Sequence, residues 1–231
     1  MAARGAEVGT ADVRLDADKI VDAALEVANE LGLAGMTMRR VGARLGVDPT
    51  ACYRYFASKD DLMAAIADRL FDSMGNDLPT DGTWRERLTA LAHGTRAVYT
   101  AHPQLVEVLA NRSEESPSLQ RLNDIAIGCL LEAGLSHREI GISQQMVSAY
   151  MIGTGMHEAS WGPDPEGARA AARRAYGALD PARYPNVTAV ASSLFPSAAE
   201  VFDATLTLIL DAVELNAAAS RARSEQPPNH T

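Results

Sequence analysis

The sequence predicts an all-α protein, and three observations predict it. Hydrophobic residues make up 47% of the 231-residue chain but aromatics only 5%, so the core draws on Ala and Leu, a helix-favouring composition. Apolar residues recur at three- and four-residue steps over most of the chain. Capping side chains and stop glycines stand between those runs. The expected architecture is an N-terminal three-helix domain with a helix-turn-helix, then a larger helical domain. The expected boundaries are a disordered tail over 1–13, a first domain over 14–62, a second over 63–219 and a disordered tail over 220–231.

Residues 1–13 are small, mixed in charge and aperiodic, as in a solvated tail. From Asp16 to Leu31, the set Ile20, Val21, Ala24, Leu25, Ala28 and Leu31 follows helical spacing. Asp16 and Asp18 suit that helix's positive N-terminus. Met36 to Lys59, MTMRRVGARLGVDPTACYRYFASK, predicts two short helices around a tight turn. Thr37 can cap the first, Val41 and Leu45 sit one turn apart on it, and Gly46 is its left-handed stop. Asp48 can cap the second, and Pro49 takes the first helical position, where a missing N–H costs nothing. These are the parts of a helix-turn-helix.

The faces of that second helix can be sorted. Cys52 and Phe56 are four apart and share the inward face. Thr50 and Arg54 lie opposite, flanked by Ala51 and Tyr53. Such an outward face suits a major groove: Arg forks onto guanine, and Thr meets a base edge or a thymine methyl. Tyr53 and Tyr55 are placed for phosphates. The stretch carries Arg39, Arg40, Arg44, Arg54 and Lys59 against Asp48, five positive charges less one, within a chain of net charge −9. That is a local basic footprint on an acidic protein of pI near 5.0, whose bulk is unsuited to nonspecific polyanion binding. Ser58-Lys59-Asp60-Asp61 reads as a cap with an acid at the third helical position. A phosphate at Lys59 would meet the free N–H groups and the ammonium together. The expected DNA-contacting set is Thr37, Arg39, Thr50, Ala51, Tyr53, Arg54, Tyr55 and Lys59. Arg54 and Thr50 read bases, while Thr37, Tyr53, Tyr55 and Lys59 hold phosphates.

Lys59 to about Met74 forms the next helix, with Leu62, Ile66 and Leu70 at four-residue steps. It leaves the first domain and enters the second, a position from which to carry motion between them. Residues 75–82 read as a linker. A helix follows from Thr83 to Ala101, with Trp84, Leu88, Leu91, Thr95, Val98 and Tyr99 inward, ending before His102-Pro103. A short helix is expected over 104–110, then helices over 118–134 and 137–160. The stretch from Trp161 to Pro196 is punctuated by Pro and Gly, with an Arg-rich helical piece over 166–177. The last helix runs from Ser197 to Ala219. Its Val201, Phe202, Thr205, Leu206, Leu208, Ile209, Ala212, Val213 and Leu215 cover more circumference than one core contact needs. Either it buries a second face against a partner, or it lies centrally in its own monomer.

Residues 15–71 resemble the DNA-binding domain of the TetR family of transcriptional regulators. The resemblance rests on Ile20 through Gly32, then Thr37, Val41, Leu45-Gly46-Val47, Tyr53-Arg54-Tyr55-Phe56 and Ser58-Lys59. Asp48 departs from the common Ser but preserves a cap. Cys52 stands where Leu is usual, a smaller plug behind the reading helix. The resemblance implies a homodimer on double-stranded, near-palindromic operator DNA, released by a small-molecule effector. It also implies a four-helix dimer interface built from the last helix and the helix over 137–160. The second domain more weakly resembles the regulatory core of the tetracycline repressor, with Trp84, the His102-Pro103 break and the Tyr150–Glu158 stretch in similar order. Gly75 and Leu109 take the places of its drug- and metal-contacting histidines, and Leu91 and Thr95 those of an Asn and a Phe that grip the drug. His157 falls near its metal-side Glu. A more apolar effector is implied, without the metal–tetracycline chemistry. The expected pocket is lined by Leu91, Thr95, Tyr99, Leu109, Met146, Tyr150, Met151 and His157; the alternative is ordinary core, under a second domain that only dimerises.

Other classes find less support. The five histidines are scattered, and no HExxH, GxSxG or phosphate loop occurs, so no enzyme is expected and no cofactor or metal is implied. Cys52 and Cys129 lack metal or disulfide spacing and read as small buried residues, a redox switch at Cys52 being the lesser alternative. No apolar run reaches membrane-span length and no signal segment opens the chain, so a cytoplasmic protein is expected.

Overall fold

The computed structural model describes residues 15–103, 105–106 and 116–224. Among these there are helices and turns and no strand. The helices are α1 (Ala17–Gly35), α2 (Met38–Leu45), α3 (Pro49–Cys52), α4 (Lys59–Asn76), α5 (Trp84–Ala101), α6 (Pro117–Ala133), α7 (His137–Ser160), α8 (Pro165–Gly177), α9 (Pro185–Val190) and α10 (Ala198–Ser224). The chain divides into two compact units, Met1–Ile66 and Ala67–Thr231, with the division falling inside α4.

In the first unit, the Asp16 side chain caps α1 by accepting from Lys19 N–H at 2.9 Å. Gly32 at φ 72° breaks the regular helix, so Leu33 and Met36 turn back into the core. The Thr37 hydroxyl oxygen accepts from Arg40 N–H at 3.3 Å to start α2, and Gly46 at φ 69°, ψ 26° ends it in the left-handed region. Asp48 caps α3 and Pro49 opens it. The tightness of the turn depends on Gly42. A Cβ there would stand 3.0 Å from the Val47 carbonyl oxygen and 3.2 Å from Pro49. Ile20, Ala24, Val41, Cys52 and Phe56 share the buried interior.

In the second unit a capping box, Thr83 and Glu86 bonding reciprocally, stands at the head of α5; a second, Ser136 with Glu139, opens α7. Asp68 accepts from the Ser116 hydroxyl at 2.6 Å and from Ser118 N–H at 2.9 Å, which ties α4 to the start of α6. Phe71 meets Tyr99 edge to face at 5.8 Å. Leu130, Ala133, Leu135, Ile140, Val213 and Ala217 form a core across α6, α7 and α10, with Trp84 and Leu88 of α5 packed against it. Gly155 admits Val106 so closely that a Cβ would stand 3.0 Å from its methyl. Phe195 adopts φ 56°; its carbonyl accepts from Arg173 at 2.7 Å and its ring meets Trp161 and Tyr176.

Of the short helix expected over 104–110, Leu105 and Val106 are helical and buried; the rest, including Leu109, lies outside the described residues. So do the expected tail over 1–13 and residues from 225 on. The expected tail over 220–231 is corrected at its start: α10 continues to Ser224. The reason is anchoring, since the Ser220 hydroxyl reaches Glu139 at 2.9 Å and Arg221 donates to the Ala133 carbonyl at 2.9 Å. No single described helix is long and apolar enough to cross a membrane.

Candidate functional site

The recognition segment is one turn of regular helix continued by tighter turns. After α3, the N–H groups of Arg54 and Tyr55 bond to Ala51 and Cys52 carbonyls three residues back. Cys52 is fully buried, and burial pushes its thiol pKa up, which disfavours the reactive thiolate. Phe56 is buried beside it, Ala51 half-buried, and Thr50, Tyr53 and Arg54 face outward. The Thr50 hydroxyl donates to the Asp48 carboxylate at 2.6 Å, and Thr50 N–H donates to the same oxygen at 2.8 Å. Those bonds hold the Asp48 carboxyl below its ordinary range. They also fix Thr50 as an acceptor toward anything docking outside.

The flanking groups are positioned as firmly. The Tyr55 hydroxyl donates to the Leu15 carbonyl at 2.5 Å, tying the entry of α1 to the recognition turn. A phosphate bond from Tyr55 would compete with that contact. Thr37 keeps its hydroxyl proton available because only its oxygen serves the cap. Lys59 is half-buried in the first turn of α4, where Ser58 caps the N–H of Asp61 at 3.1 Å. Arg39 is exposed. Arg44 turns back instead: its guanidinium spans Glu30 at 2.5 Å and Glu26 at 3.0 Å, which raises its pKa. Arg40 donates to the Gly35 carbonyl. Counting charges along the sequence credited both to the basic face. The spacing of Glu26 and Glu30, one helical turn apart, was the available signal for Arg44.

The second unit encloses a cavity of about 570 Å³ whose wall includes Arg96, Tyr99, Met151, Glu158, Arg169 and Phe202. Tyr99 and Met151 belong to the set expected from sequence. Tyr99 is buried and its hydroxyl is pushed up to about 12, so it stays a neutral donor. Leu109 lies outside the described residues, and the other expected residues lie off the wall. Leu91 and Thr95 are half-buried on α5, the Thr95 hydroxyl donating to the Leu91 carbonyl at 2.9 Å. Tyr150 stacks on Phe202 with centroids 6.2 Å apart, and its buried hydroxyl has no partner among the described residues. Met146 is 63% exposed. His157 is exposed and accepts from the Trp161 indole N–H at 3.3 Å. Sequence reasoning missed the ion pair in the wall. Arg96 grips Glu158 with two bonds of 3.2 and 3.4 Å, joined by the Thr100 hydroxyl at 3.3 Å. It also missed Arg169 on α8 and the cavity-facing role of Phe202.

Two outward stripes stay apolar. On α10, Val201, Leu208 and Leu215 recur every seven residues and are 42%, 68% and 72% exposed. On α7, Ile142, Met146 and Met156 are exposed large apolar residues. Ile209 is half-buried and lies outside the α10 stripe.

Residues 20–66 match the family model for bacterial regulatory proteins of the tetR family, and residues 77–216 match that for the tetracyclin repressor-like C-terminal domain. The chain belongs to the TetR family: it is a sequence-specific DNA-binding transcriptional regulator. Regulators of this family bind operator DNA and small-molecule effectors and act as dimers. Among its relatives is the HTH-type transcriptional repressor DrrR1 of Streptomyces coeruleorubidus, 31% identical over 219 residues, 91% of this chain and 81% of that one. A possible TetR family transcriptional regulator from Streptomyces coelicolor A3(2), 30% identical, superposes with a TM-score of 0.71 over 87% of this chain and 99% of that one. The S. coelicolor protein ActR, solved in complex with actinorhodin, shares the fold at a TM-score of 0.76 and 18% identity, over 89% of this chain and 99% of that one.

Proposed function

We propose that this chain is a homodimeric repressor that holds a near-palindromic operator and lets go when a small molecule enters the cavity of its second unit. The observation that carries the effector half is the cavity itself. Its volume of about 570 Å³ falls in the range of ligand sites, with apolar walls and a few directional groups. The repressor name of DrrR1 and the ligand-bound ActR structure support the same reading. At the operator, Arg54 and Thr50 read base edges, with Ala51 small enough to let the backbone approach. Thr37, Arg39, Tyr53, Tyr55 and Lys59 hold phosphates. The stripes of α7 and α10 pair with those of a second copy as a four-helix interface. The protein works in the cytoplasm, and catalysis, metal and cofactor have no part in this reading.

Release needs differential binding. Lowering operator affinity a hundredfold requires an effector to prefer the DNA-incompetent state by about 2.7 kcal/mol. The proposed route is α4, whose residues belong partly to each unit. The test adds candidate metabolites to operator-bound protein. At least one is expected to displace the wild type and to fail against Thr154→Phe, which fills the cavity. Displacement that persists unchanged in Thr154→Phe would place the effector elsewhere.

A further inference from the structure

The arginines of α8 are not equally provided for. Arg173 pairs with Glu166 at 2.8 Å and donates to the Phe195 carbonyl. Arg169, one turn earlier, is 7% exposed and lines the cavity. Its guanidinium lies 5.4 Å over the Trp161 ring, and among the described residues it has neither carboxylate partner nor hydrogen bond. Among the described residues the one carboxylate in the wall, Glu158, is already taken by Arg96 and Thr100. The described wall therefore carries two cations against one anion. A guanidinium held at 7% exposure, with its remaining access on the cavity side, loses most of its hydration, and an anion arriving with matching acceptors replaces it. The indole face fixes the guanidinium plane without neutralising it.

We infer that the cavity takes an amphipathic organic anion, its carboxylate or sulfonate received by Arg169 and its apolar body lying against Tyr99, Met151 and Phe202. This rests on the cavity being the effector site and adds the ligand's charge. A charge-assisted fork on a buried arginine gives affinity that an uncharged analogue of the same shape cannot recover.

The test uses the full-length protein and two fluorescent probes, anilinonaphthalene sulfonate and the neutral phenylnaphthylamine, which differ by the sulfonate. The wild type is expected to bind the sulfonate about tenfold more tightly, and Arg169→Gln is expected to erase that preference while leaving phenylnaphthylamine unaffected. Arg169→Lys, a point charge without the fork, is expected to fall between them. Equal affinities in the wild type, or a sulfonate preference that survives Arg169→Gln, overturns the anion assignment and leaves the cavity standing. Thr154→Phe is expected to lose both probes. If it binds both undiminished, or the wild type binds neither, the cavity itself is not the ligand site. If circular dichroism finds Arg169→Gln unfolded, the wild type decides alone, through displacement of phenylnaphthylamine by naphthoate and by methyl naphthoate. About tenfold better displacement by the carboxylate is expected; parity or preference for the ester contradicts the inference.

Discussion

The two units hold their functional groups in different ways. In the first, the caps that shape the reading face are local, Thr37 to Arg40, Asp48 to Thr50 and Ser58 to Asp61, with Tyr55 to Leu15 as a longer tie. In the second, the groups meet across the chain: Arg96 with Glu158 in the cavity wall, and away from it Ser116 with Asp68 and Arg85 with Asp211 at 2.5 Å. A face built from caps and a glycine stop is preorganised and exposes Thr50, Tyr53 and Arg54 at little cost. A cavity built between helices exists only while those helices pack, so its contents bear on their arrangement. That contrast suits a DNA reader joined to a ligand-responsive body.

Substitutions can break or sharpen the comparison. The largest stability effect is expected in the second unit. Phe202 is fully buried, stacks on Tyr150 and carries Arg96 on its face at 5.1 Å. Phe202→Ala should cost about 3–5 kcal/mol, read from denaturant midpoints, and should abolish probe binding in the cavity. Leu208→Asp with Leu215→Asp comes next. The paired charges should leave a monomer in micromolar sedimentation and lower operator affinity by about a hundredfold or more, because two linked half-sites are no longer held together. A double variant that stays dimeric would move the interface off this stripe.

In the first unit the effects should fall on DNA and not on folding. Arg54→Ala is expected to cost about 1–3 kcal/mol of operator affinity and relax specificity at one position in each half-site, with an unchanged melting temperature. Smaller still is the contrast between Lys59 and Arg44. Lys59→Ala should weaken all sequences alike and reduce the salt slope by about one. Arg44→Ala should leave the slope unchanged, because its guanidinium is committed to Glu26 and Glu30. Equal slopes for the two variants would undo the distinction between free and committed cations.

The same contrast explains how far residues alone could be read. The helix-turn-helix was legible because caps, a stop glycine and a 3.6-residue period act within a few positions. Cys52 and Phe56 inward against Thr50 and Arg54 outward follows from that period. Gly42 was not legible, since its need comes from the approach of Val47 and Pro49 after the turn closes. On α10 the breadth of the apolar surface was visible, but the outward stripe of Val201, Leu208 and Leu215 needed packing to separate it from Ile209. The cavity was least legible. Arg96 and Glu158 are 62 residues apart, and no periodicity announces the pair. Arg169 reads as one more arginine on an exposed helix until its burial over Trp161 is seen.

The central claim is that this fold reads a symmetric operator as a dimer. Its most direct test is to incubate the full-length protein with sheared genomic DNA from its own source, recover the retained fragments and sequence them. The fragments are expected to share a near-palindrome with half-site centres about one helical turn apart. Arg54→Ala should retain the same fragments with one base position in each half no longer fixed. Retention of fragments without a shared symmetric site, in proportion to length alone, would contradict the account.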